Sequence, residues 1–299
     1  MKEIGIVGVP SSAGARMTGQ EKAHRAYRNA NLIKRLHSAG LSVTDFGNLP
    51  ETQFRPDEQH PKSQNLHLVI EVAERVAKQM QVVLRDNALP IVLGGDCTIT
   101  LGVLAGLIPE VPNLGLVYFD GDIDLNTPDT TVSGVFDGMV MAHIIGKGVD
   151  ALARIGPRYP LMAEEDIVMF GYNTEAGGID EVEAQVFEQC RMTKYPIAQI
   201  RGTVKEAAKE VLTHLENKVD SILIHFDVDV IDSTDFSAVD VAHPHGMHFS
   251  DAMSALEVFI ASRKLVGLVV TEFNADHDAE GILARRFVDA IAKVLKKRR

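Results

Sequence analysis

Four short segments of this 299-residue chain hold the side chains best able to do chemistry. They are Gly94-Gly95-Asp96-Cys97, Asp120-Gly121-Asp122-Ile123-Asp124, Asp227-Val228-Asp229-Val230-Ile231-Asp232 and Glu272-Phe273-Asn274. Alternate residues of an extended chain point to one side. Asp120, Asp122 and Asp124 are therefore expected to converge, with Asp227 and Asp229 arriving from a second segment. Carboxylates a few ångströms apart in a poorly solvated cleft cannot all stay ionised. Either cations neutralise them or several carry protons. Oxygen ligands suit hard divalent ions such as Mn²⁺ or Mg²⁺, whereas a thiolate at Cys97 draws the preference toward softer metals. One Asp-x-Asp-x-Asp loop is ordinary in a solvated turn. Two of them at the ends of separate apolar runs point to a polar site for an ion or a substrate.

The elements that position these segments are short apolar runs near 3–9, 42–46, 89–94, 114–119, 166–171, 193–197, 220–226 and 265–271. Leu114-Gly-Leu-Val-Tyr-Phe119 and Ser221-Ile-Leu-Ile-His-Phe226 are apolar on both faces, the mark of parallel strands covered on two sides. Amphipathic stretches between them predict helices near 20–39, 65–86, 98–107, 178–189, 203–218, 250–263 and 280–297, with Ser250 as an N-cap. Eight such strands either close into a barrel or stay open, and periodicity does not choose. Both architectures put functional groups at the carboxyl ends of the strands. No linker, composition break or repeat divides 1–299, so one domain is expected.

The four blocks, in this order and at this spacing, resemble the arginase family of ureohydrolases. That family's pattern reads Gly-Gly-Asp-His, Asp-x-His-x-Asp, Ser-x-Asp-x-Asp-x-x-Asp and Glu-x-Asn. The stretch from Asp124 to Gly134 and the opening Ile4-Gly-Ile-Val-Gly-Val-Pro10 are also similar to it. The resemblance implies an α/β fold, a three-layer, open, mostly parallel eight-stranded sheet with helices on both faces, and a homo-oligomer, either trimer or hexamer. It also implies two Mn²⁺ ions that share a hydroxide, which attacks a guanidinium carbon. Carried over position by position, Asp120, Asp124, Asp227 and Asp229 are retained metal ligands, while Cys97 and Asp122 stand where the family has histidines. Asp137 stands at a proton-shuttling histidine, and His225 at a small residue. Glu272 matches the glutamate that pairs with the guanidinium. Asn126, Thr131 and Ser133 match residues that contact the amino-acid end of the substrate. Val135 departs from an asparagine, and Asn173-Thr174-Glu175 replaces an Arg-Asp-x-Asp stretch. A modified guanidino compound is then as well suited as arginine.

Charge bears on this altered centre. Four aspartates balance two divalent ions, whereas five aspartates give −5, or −6 with a thiolate, against +4. Such a site should hold cations more strongly and leave their water less acidic.

The net charge of −11 argues against nucleic acid or an anionic membrane as partner. Two cysteines form no disulfide framework and suit a reducing compartment. Neither a signal-like start nor a membrane-length apolar run is seen, which predicts a soluble, cytoplasmic protein. His243-Pro-His245-Gly-Met-His248 offers a replacement ligand set, but its spacing favours a surface loop over metal binding; Cys190 reads as a buried or partly buried thiol without a motif, and Lys296-Lys-Arg-Arg299 as a solvated helix end. The expected function is metal-dependent hydrolysis of a guanidino or amidine C–N bond. The alternative is a catalytically silent homologue that binds a ligand or a partner.

Overall fold

The computed structural model describes residues 2–174, 179 and 181–298. Among these, eight strands form one sheet: β1 (Ile4–Gly8), β2 (Val43–Asn48), β3 (Leu89–Leu93), β4 (Leu114–Phe119), β5 (Ile167–Phe170), β6 (Thr193–Tyr195), β7 (Ser221–Asp227) and β8 (Leu265–Thr271). They lie in the order β2-β1-β3-β8-β7-β4-β5-β6. Every pairing is parallel. The sheet is open, with the partly exposed β2 and β6 at its edges.

Burial explains the architecture. All six residues of β4 and the last six of β7 are buried, so helices must cover both faces. One apolar layer joins the sheet to helices Ala23–Asn29, Leu32–Ser38, Val204–Lys218, Phe249–Ile260 and Ile282–Leu295. A second layer joins the other face to Leu66–Arg85, Ile99–Leu107 and Val140–Ile144. Leu66–Arg85 presents Val69, Val72, Val76, Met80 and Val83 as one buried stripe, the spacing of an amphipathic helix. Ile99–Leu107 is buried all round, and Gly102 lets it approach: a Cβ there would lie 2.4 Å from the Ala73 carbonyl oxygen.

Two helix expectations are corrected. The segment 20–39 breaks into a 3-10 turn and two helices, because Asn31 takes a left-handed φ of 65°. The helix expected from Ser250 starts at Phe249, with extended His248 before it and no side-chain cap. Asp137–Met139 and Val140–Ile144, to which the sequence assigned no element, form a 3-10 turn and a short helix. Helix Glu181–Gln189 falls within the expected 178–189, of which Gly178 and Asp180 lie outside the described residues.

The topology decides where a site can form. The four chemical segments follow β3, β8, β7 and β4, which are the four consecutive central strands of the sheet. In open α/β sheets the ligand crevice lies beyond the carboxyl ends of the strands where the order reverses.

Candidate functional site

Register brings the strand ends level. Phe119 pairs with Phe226, Asp227 with Thr271, and Leu93 with Val270. A cavity of about 230 Å³ opens there, lined by Cys97, Asp120, Asp122, Asp124, Asn126, Thr131, Ser133, Asp137, Asp227, Asp229 and Glu272. Every residue singled out from the sequence for metal or substrate binding thus reaches one space. Arg16, Gln20, Val135, Gly138, Glu183, Asp240 and Val241 complete the walls.

The loop after β3 is pinned by Asp96. Its carboxylate accepts hydrogen bonds from Ser11 Oγ (3.0 Å), Gly14 N–H (3.2 Å) and Thr98 N–H (3.1 Å). This turns the buried Cys97 inward over the end of β7. There the thiol donates to Asp227 Oδ2 at 2.7 Å, with Asp120 Oδ2 at 3.9 Å and His225 Nε2 at 3.5 Å. His225 is fully buried and stacks on Tyr118, with centroids 4.1 Å apart and planes 4° from parallel. Its Nε2 lies 3.3 Å from Asp120 Oδ2, and its Nδ1 meets Thr100 Oγ1 at 2.8 Å. Cys97, Asp120, His225 and Asp227 form an inner cluster whose ligand atoms lie within 4.8 Å of one another.

A second cluster joins Asp122, Asp229 and His243. Here the surface-loop reading of 243–248 fails for its first histidine: His243 is only 2 % exposed, whereas the His248 side chain is 75 % exposed. His243 Nε2 lies 3.2 Å from Asp122 Oδ2 and 3.8 Å from Asp229 Oδ2. Two features seat the loop. Asn173 Nδ2 donates to the Pro244 carbonyl at 3.0 Å. Gly121 leaves the ring its space, since a Cβ there would lie 2.6 Å from His243 Cδ2 and 2.9 Å from Asp229 Oδ1. Beside Asn173, Thr174 is exposed, and Glu175 lies outside the described residues.

The aspartates converge by a different geometry from the extended one expected. Asp122 N–H folds back to Asp120 Oδ1 and Asp229 N–H to Asp227 Oδ1, both at 2.8 Å, while Gly121 N–H donates to Asp229 Oδ1 at 3.2 Å. One oxygen of Asp120, Asp227 and Asp229 is thereby fixed by backbone, and the other is turned toward a cluster. Asp124 and Glu272 adopt left-handed φ values of 50° and 64°. Such strain in non-glycine residues concentrates at functional sites. Tyr118 Oη donates to Asp124 Oδ2 at 2.5 Å.

Asp137 and Glu272 meet on a single donor. Cys97 N–H reaches Asp137 Oδ1 at 2.8 Å and Glu272 Oε1 at 3.1 Å, and Gln20 Nε2 donates to the other Glu272 oxygen. Asn126, Thr131 and Ser133 sit in a loop held by bonds within it and by Gln64. Thr130 Oγ1 donates to Asn126 Oδ1 (2.8 Å), Gly134 N–H to Thr131 Oγ1 (3.0 Å), and Gln64 Nε2 to the Ser133 carbonyl (2.8 Å). Asn274 is a brace rather than a lining residue: its Nδ2 donates to Asp240 Oδ1 at 2.5 Å.

Burial, then mutual repulsion, pushes Asp120, Asp124, Asp137, Asp227 and Glu272 well above the ordinary carboxylate range. The same causes raise Asp229 to about 6, although His243 opposes them. Burial and then the surrounding carboxylates hold the Cys97 thiol protonated. Burial lowers His225 to about 3. For His243 burial acts downward, but the hydrogen bond to Asp122 and the charges of Asp229 and Asp122 prevail and push it up to about 9. Without cations, the centre keeps protons that divalent ions would displace. Thiolate, imidazole and carboxylates within ligand distance of one another fit such ions chemically.

His225 and His243 are the residues the sequence left without a role. His225 had a signal. It lies two residues before Asp227 in a strand buried on both faces, so it points where Asp227 points. For His243 the signal was only a His-rich loop, because its position depends on how that loop folds back over β4's end to meet Asp122, 121 residues away in sequence.

Residues 2–296 match the model of the Arginase family. The arginase of Bacillus subtilis (strain 168) is 28% identical, with 99% of both sequences aligned. The arginase of Brevibacillus brevis is 29% identical, covering 98% of this chain and 97% of its own. The native structure of arginase from Bacillus caldovelox superposes with a TM-score of 0.91 at 26% identity, over 99% of this chain and 98% of that one.

Proposed function

The chain belongs to the arginase family, and from that premise we propose that it is a metal-dependent amidinohydrolase cleaving a C–N bond of a guanidino compound. The observation that carries this reading is the convergence of Asp120, Asp122, Asp124, Asp227 and Asp229 with Glu272 on one cavity at the ends of the central strands.

In this proposal Asp120, Asp122, Asp124, Asp227, Asp229 and Cys97 hold one or two divalent cations, with Mn²⁺ the first to test. Such a cation supplies Lewis-acid activation of water. The backbone bonds to Asp120, Asp227 and Asp229 fix those ligands before any cation arrives, which limits reorganisation on binding. Glu272 anchors the positive guanidinium: its carboxylate is buried in the cavity wall, where repulsion from Asp137, Asp227 and Asp229 favours a cation beside it. Asp137, which shares the Cys97 N–H with Glu272, is held protonated and can pass that proton to the leaving amine. Asn126, Thr131 and Ser133 grip the far end of the substrate. Val135 places an apolar surface beside them, which supports a modified guanidino compound as readily as arginine. Family membership also supports a homo-oligomer, trimer or hexamer, which sedimentation would resolve.

One observation favours the second reading, a homologue that binds without turnover. Gln20 already occupies one oxygen of Glu272, the residue needed for the substrate's charge. A screen of guanidino compounds for urea or ureido product, with Mn²⁺, Co²⁺, Ni²⁺ or Zn²⁺ supplied, separates the two. Turnover abolished by chelation supports the hydrolase. No turnover by protein shown to be loaded leaves the binding reading.

A further inference from the structure

We propose that His225 and His243 are themselves metal ligands, so that the centre holds two unlike cation sites. The inner one is formed by Cys97, Asp120, His225 and Asp227, and the outer one by Asp122, Asp229 and His243. The inference rests on the metal-dependent reading above and goes beyond it, since neither histidine belongs to the pattern by which the centre was found.

Three observations carry it. The first is spacing. A tetrahedral ion with bonds of about 2.0–2.3 Å spaces its ligands about 3.3–3.8 Å apart. In the inner cluster His225 Nε2 is 3.3 Å from Asp120 Oδ2 and 3.5 Å from Cys97 Sγ, and Sγ is 3.9 Å from Asp120 Oδ2. Sγ to Asp227 Oδ2, at 2.7 Å, is shorter than this range, and that contact is the thiol hydrogen bond an ion would replace. The second is support around the His225 ring. With Nδ1–H donating to Thr100 Oγ1, the Nε2 lone pair of His225 faces the cluster, and Tyr118 stacked on the ring fixes its plane. Metal-bound imidazoles are commonly oriented in this way by a partner at their other nitrogen. The third is the space left at Gly121, without which neither the His243 ring nor the Asp229 carboxylate could keep its place.

The donor sets then differ in preference. One thiolate, one imidazole and two carboxylates suit a borderline-soft ion such as Zn²⁺ or Co²⁺. Two carboxylates and one imidazole, nearer the opening, also accommodate a harder ion such as Mn²⁺.

The test is a Co²⁺ titration of the chelated full-length protein, followed optically and by elemental analysis. The first equivalent is expected to give the near-ultraviolet band of a thiolate-bound cobalt with intense tetrahedral visible bands. Cys97→Ser should remove the near-ultraviolet band while an ion still binds. His225→Gln should weaken the first site by at least about tenfold, on the scale seen when metal-site partners are lost. Because His225 is buried and its variant is at risk of misfolding, His243→Ala is the second arm: it should bind one equivalent instead of two. Cobalt bound in the wild type without the thiolate band, or two equivalents held at unchanged affinity by folded His243→Ala, overturns this inference alone. Failure of the wild type to bind any cation overturns the metal-dependent reading with it.

Discussion

Loading the centre with metal should expel protons, and the number can be worked from the geometry. At 2.7 Å, the contact between Cys97 Sγ and Asp227 Oδ2 is a thiol donating to a carboxylate, so the sulfur must lose that proton to become a ligand. At neutral pH, Asp120 and Asp227, crowded and buried, retain at least about one more between them. His243, held up at about 9, contributes a third if it ligates. Filling both sites at pH 7 should therefore release about three protons per chain. By linkage, the inner site's apparent affinity should rise roughly a hundredfold per pH unit and the outer site's roughly tenfold. Calorimetric titration of the chelated protein in buffers of differing ionisation enthalpy reads the count directly. A heat independent of buffer, meaning no proton release, would refute the protonated, hydrogen-bonded centre and the ligand roles built on it.

Three further outcomes are expected. Glu272→Gln removes the charge that anchors a cationic substrate, and at about 1.5–3 kcal/mol for a charged hydrogen bond kcat/KM should fall roughly 10–100-fold, chiefly through KM; an unchanged KM would remove Glu272 from that role. Cys97→His should crowd the His225 ring, whose Nε2 is already 3.5 Å from Sγ, and destabilise by about 1–3 kcal/mol. Adding His225→Ser should recover much of that loss in a double-mutant cycle, and additive effects would contradict the shared space. His143 is buried as neutral imidazole, donating from Nδ1 to the Met139 carbonyl at 2.7 Å and accepting Val149 N–H at Nε2. Burial lowers it to about 4, so its contribution is complete above its unfolded value near 6.5 and is lost as pH falls toward 4, about 3 kcal/mol in all. The stability gap between wild type and His143→Gln, from denaturant titration of metal-free protein, should shrink across that window; a gap constant with pH would falsify the assignment.

The sheet was legible because β4 and β7 are apolar on both faces, and only a parallel sheet covered on two sides buries such strands. The site was legible through its strand-end aspartates and the order of its blocks, which a single resemblance could carry to Asn126, Thr131, Ser133 and Glu272. What escaped depended on contacts distant in sequence or on single backbone angles. Asn31 splits a helix by one left-handed φ, which periodicity does not register. His243 reaches Asp122 across 121 positions, and its polar, Gly- and Pro-flanked surroundings look solvated until Asn173 and Gly121 seat them. Alternation placed Asp120, Asp122 and Asp124 on one cavity, yet a backbone turn between 120 and 122 and a left-handed Asp124 do the placing.

The central claim is that this carboxylate-rich centre holds divalent metal and uses it to hydrolyse a guanidino compound. The most direct measurement is elemental analysis of protein purified without chelator, run beside the release of urea or ureido product before and after chelation and re-addition of the metal found. One or two ions per chain, with activity lost and regained alongside them, is the expected result. A chain that stays empty in excess Mn²⁺, Co²⁺ and Zn²⁺ would contradict the claim.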